Sequence, residues 1–162
     1  MDIKLRQIVK EDSLQLFEWA NDQVVRKFSF SPKRIKWSDH QVWFKNRLNR
    51  DDCWIYIAIN KGGEPIGQIR FEAVDSDVIQ VDFSLCIKHR RKGLGVKFIQ
   101  TAIHEMLSID VKYKKIIAWV KIVNVASQKT FKRAGFIKLS AGGKSHKNCI
   151  CLAFELSEKE SL

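Results

Sequence analysis

Residues 83–95 read FSLCIKHRRKGLG, and within them Arg90, Arg91, Lys92, Gly93, Leu94 and Gly95 form a basic, glycine-containing run. An apolar, strand-like stretch leads into that run. A helical pattern follows at once, with Val96, Ile99, Ala102, Ile103 and Met106 at helical spacing. A strand-to-helix turn of this kind aims unpaired backbone N–H groups at whatever anion sits in it. The first turn of a helix also carries partial positive charge, so a pyrophosphate suits it. Gly93 and Gly95 lack a Cβ and let the backbone come close to phosphate oxygens. Arg-x-x-Gly-x-Gly alone arises often by chance; the strand before it and the helix after it give it weight.

The whole-chain balance agrees with an anionic ligand. Lys and Arg number 29 against 18 Asp and Glu, a net charge of +11 in 162 residues. Such an excess favours nucleic acid, a nucleotide cofactor or a nucleotide-linked substrate. The basic residues are scattered rather than gathered on one helix, so nucleic acid is not an expected partner. Hydrophobic residues make up 45%, with five Trp and ten Phe, which predicts one folded domain over residues 1–162. No apolar run is long enough for a bilayer, and the start, MDIKLR, alternates and is charged, unlike a signal peptide. The expected setting is cytoplasmic, without a membrane partner. Cys53, Cys86, Cys149 and Cys151 lie in strand-like stretches without C-x-x-C spacing, and the four histidines are far apart. These features predict no metal, and thiols that serve as small core residues.

A first strand is expected over residues 3–8. Asp12 is placed to cap a helix carrying Leu14, Leu16, Phe17 and Trp19, ended by Asn21-Asp22 and followed by a loop with Ser31-Pro32. Ser38 and Gln41 have capping-box spacing ahead of Val42, Trp43, Phe44 and Leu48. Residues 53–60 (CWIYIAIN), 66–74 and 78–87 read as strands joined by turns at 61–64 and 75–77, an antiparallel meander. After the long helix, residues 115–123 predict a strand reached by a crossover, hence parallel to its predecessor. Asn124 can cap a last helix with Ala126, Thr130, Phe131 and Ala134 inward and Gly135 ending it. Strands near 136–139 and 148–156 flank a Gly142-Gly143 turn. The expected order is β-α-α-β-β-β-α-β-α-β-β: an α/β fold whose mixed, mostly antiparallel sheet of about seven strands is flanked by about four helices.

That order, with the glycine loop between the fourth strand and its helix, resembles the GNAT superfamily of acetyl-CoA-dependent N-acetyltransferases. A second stretch carries the same resemblance: Asn124, Ser127, Phe131, then Gly135-Phe136. The resemblance implies a V-shaped split between the fourth and fifth strands that admits the cofactor's pantetheine arm. It assigns the backbone of Phe83, Ser84 and Leu85 to the pantetheine amides. Arg91 to Val96 would cradle the pyrophosphate, and Arg90 fills a position held by Gln or Arg in members. Asn124 would reach the pantetheine region, besides serving as a helix cap. Within the first third, the segment from Phe17 to Phe30 and His40-x-x-Trp43-Phe44 resemble acetyltransferases of nucleotide-linked amino-sugar pathways, of the pseudaminic-acid type. There the resemblance makes Asn21, Arg26 and Ser29 acceptor contacts, while Trp19, Trp43 and Phe44, at helical spacing, fit a core equally.

The chemistry implied is direct attack of a neutral amine on the acetyl thioester in a ternary complex. It needs a deprotonated amine, donors for the developing oxyanion and an exit for the thiolate. A sugar amine is less basic than a lysine (pKa ~10.4), so a weak carboxylate or a water relay suffices. Asp82 interrupts an apolar strand beside the implied split, with Gln80 and Ser84 on its face, and is the first candidate base. Glu72 on the preceding strand is the second. Either also suits a plain ion-pair partner of Arg70. Members often place Tyr where this chain has Phe131, to protonate the thiolate; with a thiol pKa of ~8.5, water can serve. Some members carry an acid where this chain has Trp119. Alternatives left open are a protein N-terminal acetyltransferase of ribosomal-protein type, a nucleic-acid-binding module and a non-catalytic cofactor sensor. Monomer and homodimer are both compatible with the sequence.

Overall fold

The structure is a computed structural model that describes residues 3–109, 112–140 and 146–156. Seven strands form one sheet in the order β1-β2-β3-β4-β5-β7-β6. The strands are β1 Lys4–Gln7, β2 Cys53–Ile59, β3 Pro65–Ala73, β4 Val78–Leu85, β5 Lys115–Lys121, β6 Ile137–Lys138 and β7 Cys149–Glu155. The helices are α1 Ser13–Ala20, α2 Gln23–Phe28, α3 Trp37–Leu48, α4 Leu94–Ile109 and α5 Val125–Arg133. All neighbours pair antiparallel except β4 with β5, as the crossover through α4 demands. The Gly142-Gly143 turn lies outside the described residues.

The sheet has two unlike faces because side chains alternate along each strand. One face presents Ile69, Phe71, Ile79 and Val81 to α4, whose Phe98, Ile99 and Ala102 are fully buried, and to Phe131 of α5 and Ala134 at its end. The other presents Gln68, Arg70 and Glu72 of β3 opposite Ser84, Asp82 and Gln80 of β4. Over that polar face lie α1 and α3, held by a smaller apolar cluster of Leu16, Phe44, Cys53 and Ile55, with Trp19 and Trp43 against it. A small apolar cluster can hold helices over a polar face, and such a face is what a site for a polar substrate requires.

Four local expectations fail, each for a visible reason. A six-residue helix, α2, replaces the loop expected after Asn21-Asp22, because the Asp22 carboxylate accepts from Val24 N (3.0 Å) and Val25 N (3.1 Å). Asp12 does not cap α1 with its side chain. It takes both oxygens to Arg6 at 2.7 Å and closes a 3-10 turn on Val9 N. No capping box forms at Ser38, since α3 already begins at Trp37 and the Ser38 hydroxyl turns to Asp39. Leu14, Val42 and Ala126 are exposed rather than inward. Asn124 does cap α5, accepting from Ser127 N at 3.2 Å, and Gly135 ends it at φ 108°, a conformation costly for any side chain.

Candidate functional site

Between β4 and β5 the ladder stops early. Val78, Ile79 and Gln80 pair with Lys115, Ile116 and Ile117, and no further. Beyond Gln80, β4 runs on to Leu85 bonded to β3, while β5 runs on to Lys121 bonded to β7. The two strands diverge into a cleft of about 1280 Å³. Residues 80–85 form one wall, Trp119, Val120 and Lys121 the other, and Arg90, Arg91, Asn124 and Ser127 stand at its far end. The facing edges of parted strands carry unspent backbone donors and acceptors, a natural dock for an amide-bearing arm.

At the far end, the chain passes from β4 through a 3-10 turn, residues 87–89, to the glycine run. Arg91 (φ 60°) and Gly93 (φ 74°) both take the left-handed conformation, which bends the loop into a concavity ahead of α4. A Cβ on Gly93 would meet nothing within 4 Å, so glycine is required there for its φ and not for packing. At Gly95 the reason differs from the one its sequence position predicts. A Cβ there would come within 2.9 Å of Thr130 Cγ2, so this glycine lets α4 pack against α5. As the first four helical residues, Leu94, Gly95, Val96 and Lys97 have N–H groups without an intrahelical acceptor. Arg91 and Lys92 are exposed beside them. These features fit an anionic, pantetheine-linked cofactor such as acetyl-CoA.

Arg90 does not aim its whole fork at the loop. Its Nε donates to Leu85 O at 2.8 Å and an NH2 group pairs with Asp22 Oδ1 at 2.8 Å. Asp22 was legible only as a helix end. Burial pushes its carboxyl up, but bonds from Arg90 and from the Val25 and Val24 amides outweigh that and hold it below the usual carboxylate range.

The polar side of the cleft holds Asp82, Gln80, Gln68 and Arg70. Asp82 Oδ2 lies 3.5 Å from Gln68 Nε2 and 4.0 Å from an Arg70 nitrogen, with its side chain 57% exposed. Glu72 is elsewhere. It lies among Arg50, Arg47 (3.1 Å) and Arg70 (3.7 Å) and does not line the cleft. Three guanidiniums engage that carboxylate away from the cleft.

The acceptor-side candidates divide. Arg26 and Ser29 line the cleft and are bonded together, guanidinium to hydroxyl at 2.9 Å. Arg26 also binds the carbonyls of Ala20 and Ser31, which fixes its fork. Burial lowers its pKa, and Asp82 opposes that shift through charge. Asn21 does not reach the cleft: its amide exchanges two bonds with the backbone of Ile35, at 3.1 and 2.8 Å. Buried His40 also lines the cleft, with Nε2 2.8 Å from Ser13 O. Burial lowers its pKa although that carbonyl raises it, a balance that favours the neutral ring.

Two contacts tie the walls together. Lys121 Nζ donates to Lys27 O at 3.1 Å, from β5 to α2. Phe30 stacks on His146 at 4.3 Å, and His146 meets Trp119 edge-on at 4.9 Å. Neither was foreseen, since both join residues about a hundred positions apart. Phe131 is buried at the cleft floor, edge-on to Phe83 at 5.3 Å. Among the described residues, no three His, Cys, Asp or Glu side chains gather as a metal-holding group. No helix among them is long and apolar enough to cross a membrane.

A family model described as "Acetyltransferase (GNAT) domain" matches residues 2–137. The chain belongs to the GNAT acetyltransferase family. Enzymes of this GNAT family use acetyl-CoA, in keeping with the glycine loop and the cleft. An uncharacterized protein of Methanocaldococcus jannaschii is 27% identical over 146 residues, 86% of this chain. The chain spans only 29% of that relative's length. The crystal structure of a domain from the same organism superposes at a TM-score of 0.82 and 22% identity, over 96% of this chain and 99% of that one. Spermidine N-acetyltransferase from Vibrio cholerae, in complex with CoA and spermine, shares the fold at 0.81 and 12% identity, over 94% and 95%. Aminoglycoside acetyltransferase AAC(6')-Ib, in complex with coenzyme A, does so at 0.79 and 22%, over 95% of each chain.

Proposed function

We propose that this GNAT protein transfers the acetyl group of acetyl-CoA to a primary amine of a small molecule, and that the favoured acceptor is a nucleotide-linked amino sugar. The observation that carries the reading is the parting of β4 from β5 directly ahead of the glycine loop. When bound, acetyl-CoA supplies an activated acetyl thioester. The backbone of Phe83, Ser84 and Leu85 offers it strand-edge groups, residues 91–96 offer amides to its diphosphate, and Asn124 lines the same cleft. Asp82 is the favoured base, in reach of the acceptor side and half-open to water; Glu72, enclosed by arginines, is the lesser candidate. Gln80, Arg26 and Ser29 face the acceptor. Phe131 has no proton to give, so water protonates the departing thiolate.

Charge supports an anionic acceptor. The cleft lining carries Arg26, Arg70, Arg90, Arg91 and Lys121 against Asp39 and Asp82. Spermine and aminoglycosides, seen with neighbouring structures, are polycations and would meet net repulsion here, whereas a nucleoside diphosphate gains. The Lys121–Lys27 and Phe30–His146 contacts join the walls and favour a compact acceptor over a protein N-terminus. Mass spectrometry after incubation with acetyl-CoA and, separately, UDP-amino sugars, spermine, kanamycin and a short peptide tests this. An added acetyl group on a UDP-amino sugar alone is expected; acetylation of the polyamine or peptide in preference overturns the acceptor assignment.

A further inference from the structure

We propose that the Arg90–Asp22 pair couples the cofactor loop to the acceptor wall, so that a diphosphate on the loop orders α2. The proposal rests on the acetyl-CoA reading of residues 91–96 and goes beyond it. One guanidinium joins two segments and has a nitrogen to spare: Nε holds the end of β4 at Leu85 O, NH2 holds Asp22, and the remaining nitrogen, NH1, is buried without a hydrogen-bond partner among the described residues. Arginine carries five donors in a planar fork, so NH1 can take an anion's oxygen without releasing the other two contacts.

The receiving end depends on outside help. α2 has six residues, none of them buried, and so lacks both the length and the packing to persist by itself. Its start is the Asp22 oxygen that Arg90 holds, since that same atom accepts the Val24 and Val25 amides. Val24, Val25, Arg26 and Phe28 of α2 line the cleft, with Ser29 just beyond its end. An anion on NH1 would fix the guanidinium at a further point, so part of the ordering entropy is already spent when NH2 meets Asp22. Coupling of this kind acts in both directions, so an ordered α2 also tightens the hold on the cofactor. Asp22 is thus a positioning residue, and Arg90 a cofactor contact that acts on α2 through it.

Hydrogen–deuterium exchange of the full chain with and without coenzyme A reads the coupling without needing the acceptor. In the natural protein, coenzyme A should slow exchange in residues 91–96 and also in 23–29, by about fivefold or more in each. Asp22→Asn keeps a side chain able to cap α2 but removes the ion pair. In that variant, and in Arg90→Lys, protection of 91–96 should persist while that of 23–29 disappears. Equal protection of 23–29 in both variants, or none there in the natural protein, overturns the coupling and leaves the acetyltransferase reading standing. Absence of protection in residues 91–96 of the natural protein overturns both.

Discussion

On one side of the cleft, residues 90–96 present backbone amides, shaped by two left-handed residues and a helix start. On the other, α2 and α3 present side chains, and two of these already hold their own protein: Arg26 holds Ala20 and Ser31, and His40 holds Ser13. A main-chain site tolerates almost any sequence that keeps its turn, because its donors are present in every residue. A side-chain site changes with each substitution. The first suits a fixed cofactor and the second a particular acceptor.

Gly93→Leu strikes the main-chain side and should have the largest effect. A left-handed conformation strains a branched side chain, and the new bulk would stand over the amides, so affinity for acetyl-CoA should fall about a hundredfold. The surrounding space is open, so the loss of stability should be limited to the strain of the left-handed backbone, about 1–2 kcal/mol. Unchanged affinity by calorimetry removes the loop from the site. Arg26→Ala strikes the other side: the acceptor KM should rise about tenfold with little change in cofactor affinity. Equal losses on both ligands would erase the division drawn between the two walls.

Asp82→Asn sharpens the acceptor side further. If Asp82 takes the proton, the rate should drop about fivefold near pH 6.5 and recover toward parity once the amine loses its own proton at high pH. A rate ratio flat across pH removes Asp82 from that role. Phe131→Tyr restores a hydroxyl at the cleft floor and should raise kcat only about twofold, with a small loss of stability from the added polar atom; a tenfold rise would mean that thiolate departure limits the reaction. The smallest effect concerns folding. His40 has a folded pKa below its ordinary value, so its contribution is complete above about pH 6.5. As pH falls from there through the lowered folded value, protonation favours the unfolded chain. Denaturant midpoints should decline over that range in the natural protein and less steeply in His40→Phe.

The same division explains what the sequence reveals. Strand periodicity and the strand–glycine–helix order carry the sheet, the parallel β4–β5 pair and the loop, because these depend on local pattern and chain direction. Asp22 shows the opposite case. Its roles as cap of α2 and partner of Arg90 join positions 22 and 90, and no local pattern reports a contact of that span. Asn21 looks like a free polar residue until Ile35 folds back on it. Glu72 and Asp82 read alike as acids in apolar strands. Only the placement of Arg47 and Arg50 on and after α3 distinguishes them. Gly95 is called for by the motif, yet the structure needs it for α4–α5 packing.

A crystal structure with coenzyme A bound tests the central claim most directly. Density for the diphosphate over the amides of residues 91–96, with the pantetheine arm between β4 and β5, is the predicted result. Coenzyme A bound away from that loop, or a pantetheine arm lying outside the space between those strands, would contradict it.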